Sequence, residues 1–167
     1  MPAMDPRPLL EALVEREVDF VLIGGLAAAI MGTTRVTRDI DIAYATFAEN
    51  LERLCEVLNR FDPRVKVSGK PAGGVVTLLP VFLKHTRIVQ LVTSVGEIDI
   101  LDKIAGFHTY GQIAKHAQTI DLGFPVRVLG IEGLIRSKRA LKRPKDVHDI
   151  VELEAIADAT TDASKPH

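Results

Sequence analysis

The sequence predicts a mixed α/β fold (α+β in its segregation): one mixed β-sheet flanked by helices, with a short C-terminal helical pair. Two observations carry that prediction. Apolar runs of strand length, Phe20-Val-Leu-Ile before Gly24 and the alternating Gly96 to Leu101, are interleaved with stretches whose apolar residues recur at helical spacing. The chain of 167 residues is also 47% hydrophobic and 26% charged, enough apolar mass for a core and far from the profile of a disordered chain. No repeat, low-complexity block or linker divides it. Residues 1–158 therefore read as a single domain and 159–167 as a flexible tail, in which Ala163 is the one apolar residue from Thr160 onward.

Each element has its own signal. Asp5-Pro6 reads as an N-cap followed by proline in a first helical turn, and Leu9, Leu10, Leu13 and Val14 give the stripe of a helix ending near Arg16. Phe20 to Gly24 is a buried strand. Leu26 to Met31 is a short alanine-rich helix with Gly32 as its C-cap, and Thr33 to Thr37 is a polar connection. Arg38 to Ala43 alternates charged and apolar residues as a strand does. Phe47, Leu51, Leu54 and Leu58 share one helix face; Lys70 to Gly74 is a turn. Val75 to Leu79, Arg87 to Val92 and Gly96 to Leu101 follow as strands. Lys103 to Thr119 is partly helical, Val126 to Leu129 is a strand, and helices close the chain at Ile131 to Leu141 and Lys145 to Ala157.

Several function classes are excluded or weakened at once. With 21 Lys and Arg against 22 Asp and Glu, no global field favours nucleic acid or an anionic membrane. One cysteine, Cys55, excludes an intrachain disulfide and a cysteine-rich zinc site. The start, Met-Pro-Ala-Met-Asp-Pro-Arg, lacks the order of a signal peptide. The longest uncharged stretch, Phe20 to Thr34, is shorter than the ~18 residues a membrane span needs. A cytoplasmic protein is expected, with no membrane partner.

The chemistry concentrates in three places. Asp39-Ile40-Asp41 sends two carboxylates to one face of a strand, with α-carbons roughly 7 Å apart at ~3.4 Å per residue, and Ile40 and Ile42 to the other. Such carboxylates repel unless a cation lies between them, and oxygen-only ligands favour magnesium or manganese. The competing reading is a solvent-facing strand with Arg38 as counter-ion. Gly24-Gly25, between a strand and a helix, offers bare N–H groups that cradle phosphate, or a simple turn. Asp99 lies mid-strand between Ile98 and Ile100, with Glu97 on its face as the less central candidate. A third carboxylate beside the first two would complete a metal cluster for phosphoryl transfer. Lys138 falls on the apolar stripe of Ile131, Leu134, Ile135 and Leu141, where it either snorkels to the edge or points at an anion. Arg136, Arg139, Lys142, Arg143 and Lys145 surround it. Asp146 falls inside the arc of Val147, Ile150, Leu153 and Ala157, while Asp149 reads as nearer the edge and His148 as solvated.

Taken in order, these pieces resemble a known family. Gly-Gly after a strand, Asp-x-Asp further on and a later lone strand aspartate are similar to the nucleotidyltransferase fold of the DNA polymerase β type. The strings Gly24-Gly25…Arg35-x-Thr37-Arg38-Asp39-Ile40-Asp41 and Leu134-Ile135-x-x-Lys138…Arg143-Pro-Lys145-Asp146-x-x-Asp149-Ile150 resemble the AbiEii-like nucleotidyltransferases of bacterial toxin–antitoxin and abortive-infection systems. The resemblance spans about Phe20 to Leu153. It implies that Gly24 and Gly25 hold nucleotide phosphates, that Asp39, Asp41 and Asp99 are catalytic and bind Mg2+ (or Mn2+), that Lys138 contacts the nucleotide, and that Asp146 is the final polar motif of the nucleotide site. Two departures touch the acceptor: the chain ends soon after Ala157, and Gly25 stands where the wider superfamily often has serine.

Two readings of function stay open at this point. One is an enzyme that transfers a nucleoside monophosphate from an NTP to a hydroxyl of a tRNA end, a partner protein or a small molecule, releasing pyrophosphate, with the basic run Arg136 to Lys145 as a contact for a polyanion. The other is a nucleotide-binding partner in a toxin–antitoxin pair that does not turn over. The clustered, mutually repelling carboxylates favour the first. A metal-dependent phosphohydrolase lacks its usual His/Asp clusters here.

Overall fold

The computed structural model describes residues 5–165; the signal-peptide reading of the first four residues, and Pro166 and His167 of the expected tail, lie outside them. The first helix, α1 (Arg7–Glu15), has Pro6 rather than Asp5 as its N-cap, and the Asp5 Oδ1 accepts from the Arg7 N–H at 3.0 Å just ahead of it. The apolar run becomes β1 (Phe20–Ile23), buried along its whole length, and passes directly into α2 (Gly24–Ile30). Then come β2 (Ile40–Tyr44), α3 (Ala48–Asn59), β3 (Arg64–Val67), β4 (Lys70–Pro71) and α4 (Pro80–Lys84). The second half runs β5 (Ile88–Thr93), β6 (Gly96–Leu101), α5 (Tyr110–Lys115), β7 (Ala117–Asp121), β8 (Pro125–Leu129), α6 (Ile131–Leu141), a 3-10 turn at Pro144–Asp146, and α7 (Val147–Ala163).

The strands form one mixed sheet in the order β4-β3-β5-β6-β2-β1-β8-β7. β2 is central, antiparallel to β1 and parallel to β6. Its register fixes everything that follows. Ile23, Asp41, Asp99 and Gln90 are successive cross-strand partners on four strands, and so are Leu22, Ile42, Ile100 and Val89 on the next rung. Opposed residues share a face of the sheet. Ile40, Ile42, Ile98 and Ile100 are buried on one face, in a core that includes Leu9, Leu13, Leu54 and Leu58 from α1 and α3. Fully burying an isoleucine is worth about 1.5–3 kcal/mol, so these four hold the register firmly. Slipping β2 by one residue would turn Ile40 and Ile42 into the cleft and Asp41 into the core.

A buried polar lock ties the end of β2 to α3. Asn50 accepts from the Asp19 N–H at 2.6 Å and donates to the Asp19 and Ala45 carbonyls at 3.0 and 2.7 Å. Buried amides need such partners.

The structure departs from the expected elements in identifiable ways. Val75 to Leu79 is not a strand. Asn59 pairs its side chain with both backbone groups of Leu78, and the Val76 N–H donates to the Pro63 carbonyl, so the segment is spent on α3 and the preceding turn. Phe47 lies before α3 as its half-exposed N-cap rather than on its inner face. β3, β4, β7 and the short α4 appear where no strand or helix was expected. The strand carrying the aspartate pair begins at Ile40, two residues late, leaving Asp39 just outside it. On α7 the inner arc is rotated: Asp149 is 3% exposed, as buried as Asp146, and Val147 points outward at 59%. α7 itself continues to Ala163, past residue 159 where the tail was expected to start. Among the described residues, no helix is long and apolar enough to cross a membrane.

Candidate functional site

The polar face of the central strands opens into a cleft of about 470 Å³. That volume lies within the range of small-ligand sites, ~300–1,000 Å³. Asp39, Asp41, Asp99 and Gln90 line it from the sheet, Gly24 and Gly25 from the start of α2, and Arg35, Lys138, Arg143 and Lys145 from the loop before β2, α6 and the turn after it. Ile88, Leu101, Ile104, Leu134 and Leu141 add apolar surface, which explains why Leu141, expected on the inner stripe of α6, is 41% exposed.

The carboxylate row follows directly from register. Asp41 and Asp99 are cross-strand partners, and the Asp99 Oδ2 accepts from the Gln90 amide at 3.3 Å. Burial first, then the charges of Asp99 and Asp39, push the Asp41 carboxyl up to about 6. Desolvation, then Glu97 and Asp99, also raise Asp39 above its ordinary value. Glu97 is thus a real neighbour of the row, but Lys66 on β3 holds it at 2.8 Å. Sequence reasoning missed Lys66 because its strand, Arg64–Val67, is only four residues long and its pairing with Glu97 spans 31 residues of sequence.

The glycines are there for space. Gly24 has φ +70°, and a Cβ on it would lie 2.9 Å from the Asp41 Cγ. A Cβ on Gly25 would meet Thr37 at 3.2 Å. The backbone therefore approaches the carboxylate row as closely as a chain can, and no side chain caps the first turn of α2. Uncapped first-turn N–H groups facing a cleft suit an anion.

On the opposite wall Lys138 is buried, and its ammonium donates to Asp146 Oδ1 at 3.3 Å and to Asp149 Oδ2 at 3.0 Å. Arg143 donates to both oxygens of Asp146, at 2.6 and 3.1 Å, and Arg35 donates to Asp149 at 2.6 Å. Burial alone would raise both carboxyls; Arg143 and Lys138 beside Asp146, and Lys138 and Arg35 beside Asp149, leave them net lowered. Asp146 is fully buried and sits behind the cleft wall, not in it. The basic run does not act as one surface either. Arg136 donates to the Gly106 carbonyl and stacks over Phe107, and Arg139 pairs with Glu154. His148 is solvent-facing and pairs with Glu152 at 2.8 Å.

The donor set fits a hard divalent cation, since Asp39, Asp41 and Asp99 offer oxygen only, and Asp39 and Asp41 stay raised despite the opposing charges of Lys66 beside Asp39 and of Arg143 and Arg35 beside Asp41. Among the described residues, no three His, Cys, Asp or Glu side chains are already drawn together as a ligand group.

Neither a family profile nor a curated protein sequence matches the chain. Solved structures do. The lincomycin-bound crystal structure of the lincosamide antibiotic adenylyltransferase LnuA superposes with a TM-score of 0.61 at 15% identity, over 90% of this chain and 94% of that one. The crystal structure of ANT(2'')-Ia in complex with adenylyl-2''-tobramycin gives 0.53 at 16% identity, over 95% and 96%. The solution structure of the antibiotic-resistance factor ANT(2'')-Ia gives 0.55 at 16%, over 92% and 81%. The fold expected from the sequence is the fold observed, that of the nucleotidyltransferases.

Proposed function

We propose that this chain, built on the nucleotidyltransferase fold, transfers a nucleoside monophosphate from an NTP to a hydroxyl group and releases pyrophosphate. The observation that carries the reading is the juxtaposition in one cleft of the Asp41–Asp99 row, the bare Gly24–Gly25 backbone and a cationic wall. An enzyme of this kind needs an anion cradle, a cluster of oxygen ligands and room for an acceptor.

Asp39, Asp41 and Asp99 would hold magnesium or manganese. When bound, such an ion supplies charge neutralisation on phosphoryl oxygens and orients the triphosphate. The protein's own contributions are distinct. The first-turn N–H groups of α2 face the phosphates, and the α6 wall supplies positive charge. Asp99, held by the Gln90 amide and two residues along the same strand from Leu101, whose cross-strand partner is Ile88, would accept the proton of an acceptor hydroxyl.

The acceptor we favour is a small hydroxylated molecule. The two adenylyltransferase neighbours of similar length carry small antibiotics or their adenylylated product, and Arg136 and Arg139 are committed to internal partners rather than free for a polyanion. The AbiEii-like resemblance supports a bacterial toxin–antitoxin or abortive-infection setting, in which RNA or a partner protein would be the acceptor. Transfer of label from α-phosphate-labelled NTPs, with magnesium, to a panel of hydroxylated small molecules, to total RNA and to cell-extract protein separates these acceptors. Labelling of any acceptor by the parent chain but not by Asp41→Asn supports the reading. Equal labelling by both proteins refutes it.

A further inference from the structure

Resting on the nucleotide-binding reading above, we propose that Arg35 and Arg143, not Lys138, are the side chains that grip the triphosphate, and that Asp146 and Asp149 are positioning residues that hold the two guanidinium groups at the cleft wall. Sequence position favours Lys138, since a lysine on an apolar helix stripe looks like a charge aimed at a ligand. The structure gives that charge another task. Lys138 is 5% exposed, and its ammonium divides two of its three N–H donors between two aspartates that are themselves buried. A buried carboxylate pair is costly without a buried cation, and Lys138 is the cation that satisfies both.

The arginines stand differently. Arg35 spends one donor on Asp149 and its side chain stays 35% exposed. Arg143 spends two on Asp146 and stays 43% exposed. A guanidinium carries five N–H donors in a planar fork, so each retains several for a ligand while its orientation is fixed by the carboxylate. Both line the cleft, and the two aspartates do not. Three cations against two carboxylates leave one positive charge on this wall, and Lys145 beside them adds another. The arrangement also explains why charges from three separate segments, the loop before β2, α6 and the turn after it, converge. Asp149 reaches across 114 residues of sequence to hold Arg35.

The test uses calorimetric binding of inorganic tripolyphosphate and of each NTP, with magnesium, to the full chain. Arg35→Gln and Arg143→Gln should each weaken tripolyphosphate at least about tenfold, the loss of charge-assisted hydrogen bonds, with little change in unfolding temperature. Lys138→Met should lower the unfolding temperature clearly and weaken tripolyphosphate less than either arginine variant. Asp149→Asn should weaken it through Arg35, so that Arg35→Gln with Asp149→Asn binds no more weakly than Arg35→Gln alone; a purely structural Asp149 would give additive losses. If Lys138→Met abolishes binding at unchanged unfolding temperature while the arginine variants bind normally, the proposal is overturned and the nucleotide reading stands. If the parent chain binds neither tripolyphosphate nor any NTP, both fall together.

Discussion

Replacing Asp41 by asparagine should make the metal-free protein more stable at neutral pH while removing its activity. Asp41 titrates at about 6 in the folded protein against an ordinary value of 3.8. A carboxylate raised in this way stabilises the fold fully below the unfolded value, and that contribution is lost as pH rises through the folded one. About two pKa units correspond to about 3 kcal/mol, the ceiling on what ionised Asp41 costs the fold above about pH 7. Asparagine keeps the shape, deletes the charge and relieves Asp39 and Asp99 as well. A gain of about 1–3 kcal/mol is expected, which at ~2–4 °C per kcal/mol for a chain of this size is readable in a melt. Urea unfolding of both proteins in chelator at pH 7.5 and again near pH 4 is the assay. The advantage of Asp41→Asn should be present at pH 7.5 and shrink towards zero near pH 4. An Asp41→Asn protein no more stable than the parent at pH 7.5, or more stable by the same amount at both values, would refute the argument from repulsion.

Other substitutions separate the site from the scaffold. Gly24→Ala places a methyl group against the Asp41 carboxyl at φ +70°, so it should cost about 1–3 kcal/mol from backbone strain alone, plus the clash, and abolish nucleotide binding; calorimetry and a urea titration read both. Asn50→Ala removes three hydrogen bonds, one of them buried, and should lose roughly 2–4 kcal/mol in unfolding experiments, with transfer by the folded fraction unchanged. The lowered carboxyls of Asp146 and Asp149 contribute stability that is present above about pH 4 and lost as pH falls through their folded values. Asp149→Asn should therefore flatten the acid limb of the stability curve below pH 4, while leaving its shape between pH 6 and 8 as in the parent.

The central strands were legible because burial on one or both faces leaves a strong pattern. β1 reads as an unbroken apolar run, and the isoleucines of β2 and β6 alternate with carboxylates so regularly that the row of Asp41 and Asp99 could be anticipated. Short, half-exposed strands leave no such pattern: Arg64–Val67 offers only two valines in four residues, and the edge strand Ala117–Asp121 is mostly polar. Val75 to Leu79 reads as a strand by composition, yet a single side chain, Asn59, takes its backbone hydrogen bonds elsewhere. On α7, periodicity alone chose Val147 over Asp149 as the inward residue. The cations of α6 and of the distant Arg35 loop reverse that choice by pairing with Asp149. Charges that meet across a fold do not announce their partners in sequence. Lys66 meets Glu97 from another strand, and the apolar stripe around Lys138 gives no sign of the aspartates that hold it.

The most direct measurement is a crystal structure with manganese and a non-hydrolysable NTP analogue. The account predicts anomalous density bridging Asp41, Asp99 and the phosphates, with the triphosphate lying between the Gly24–Gly25 backbone and the guanidinium groups of Arg35 and Arg143. Manganese bound away from Asp41 and Asp99, or a nucleotide seated outside this cleft, would contradict it.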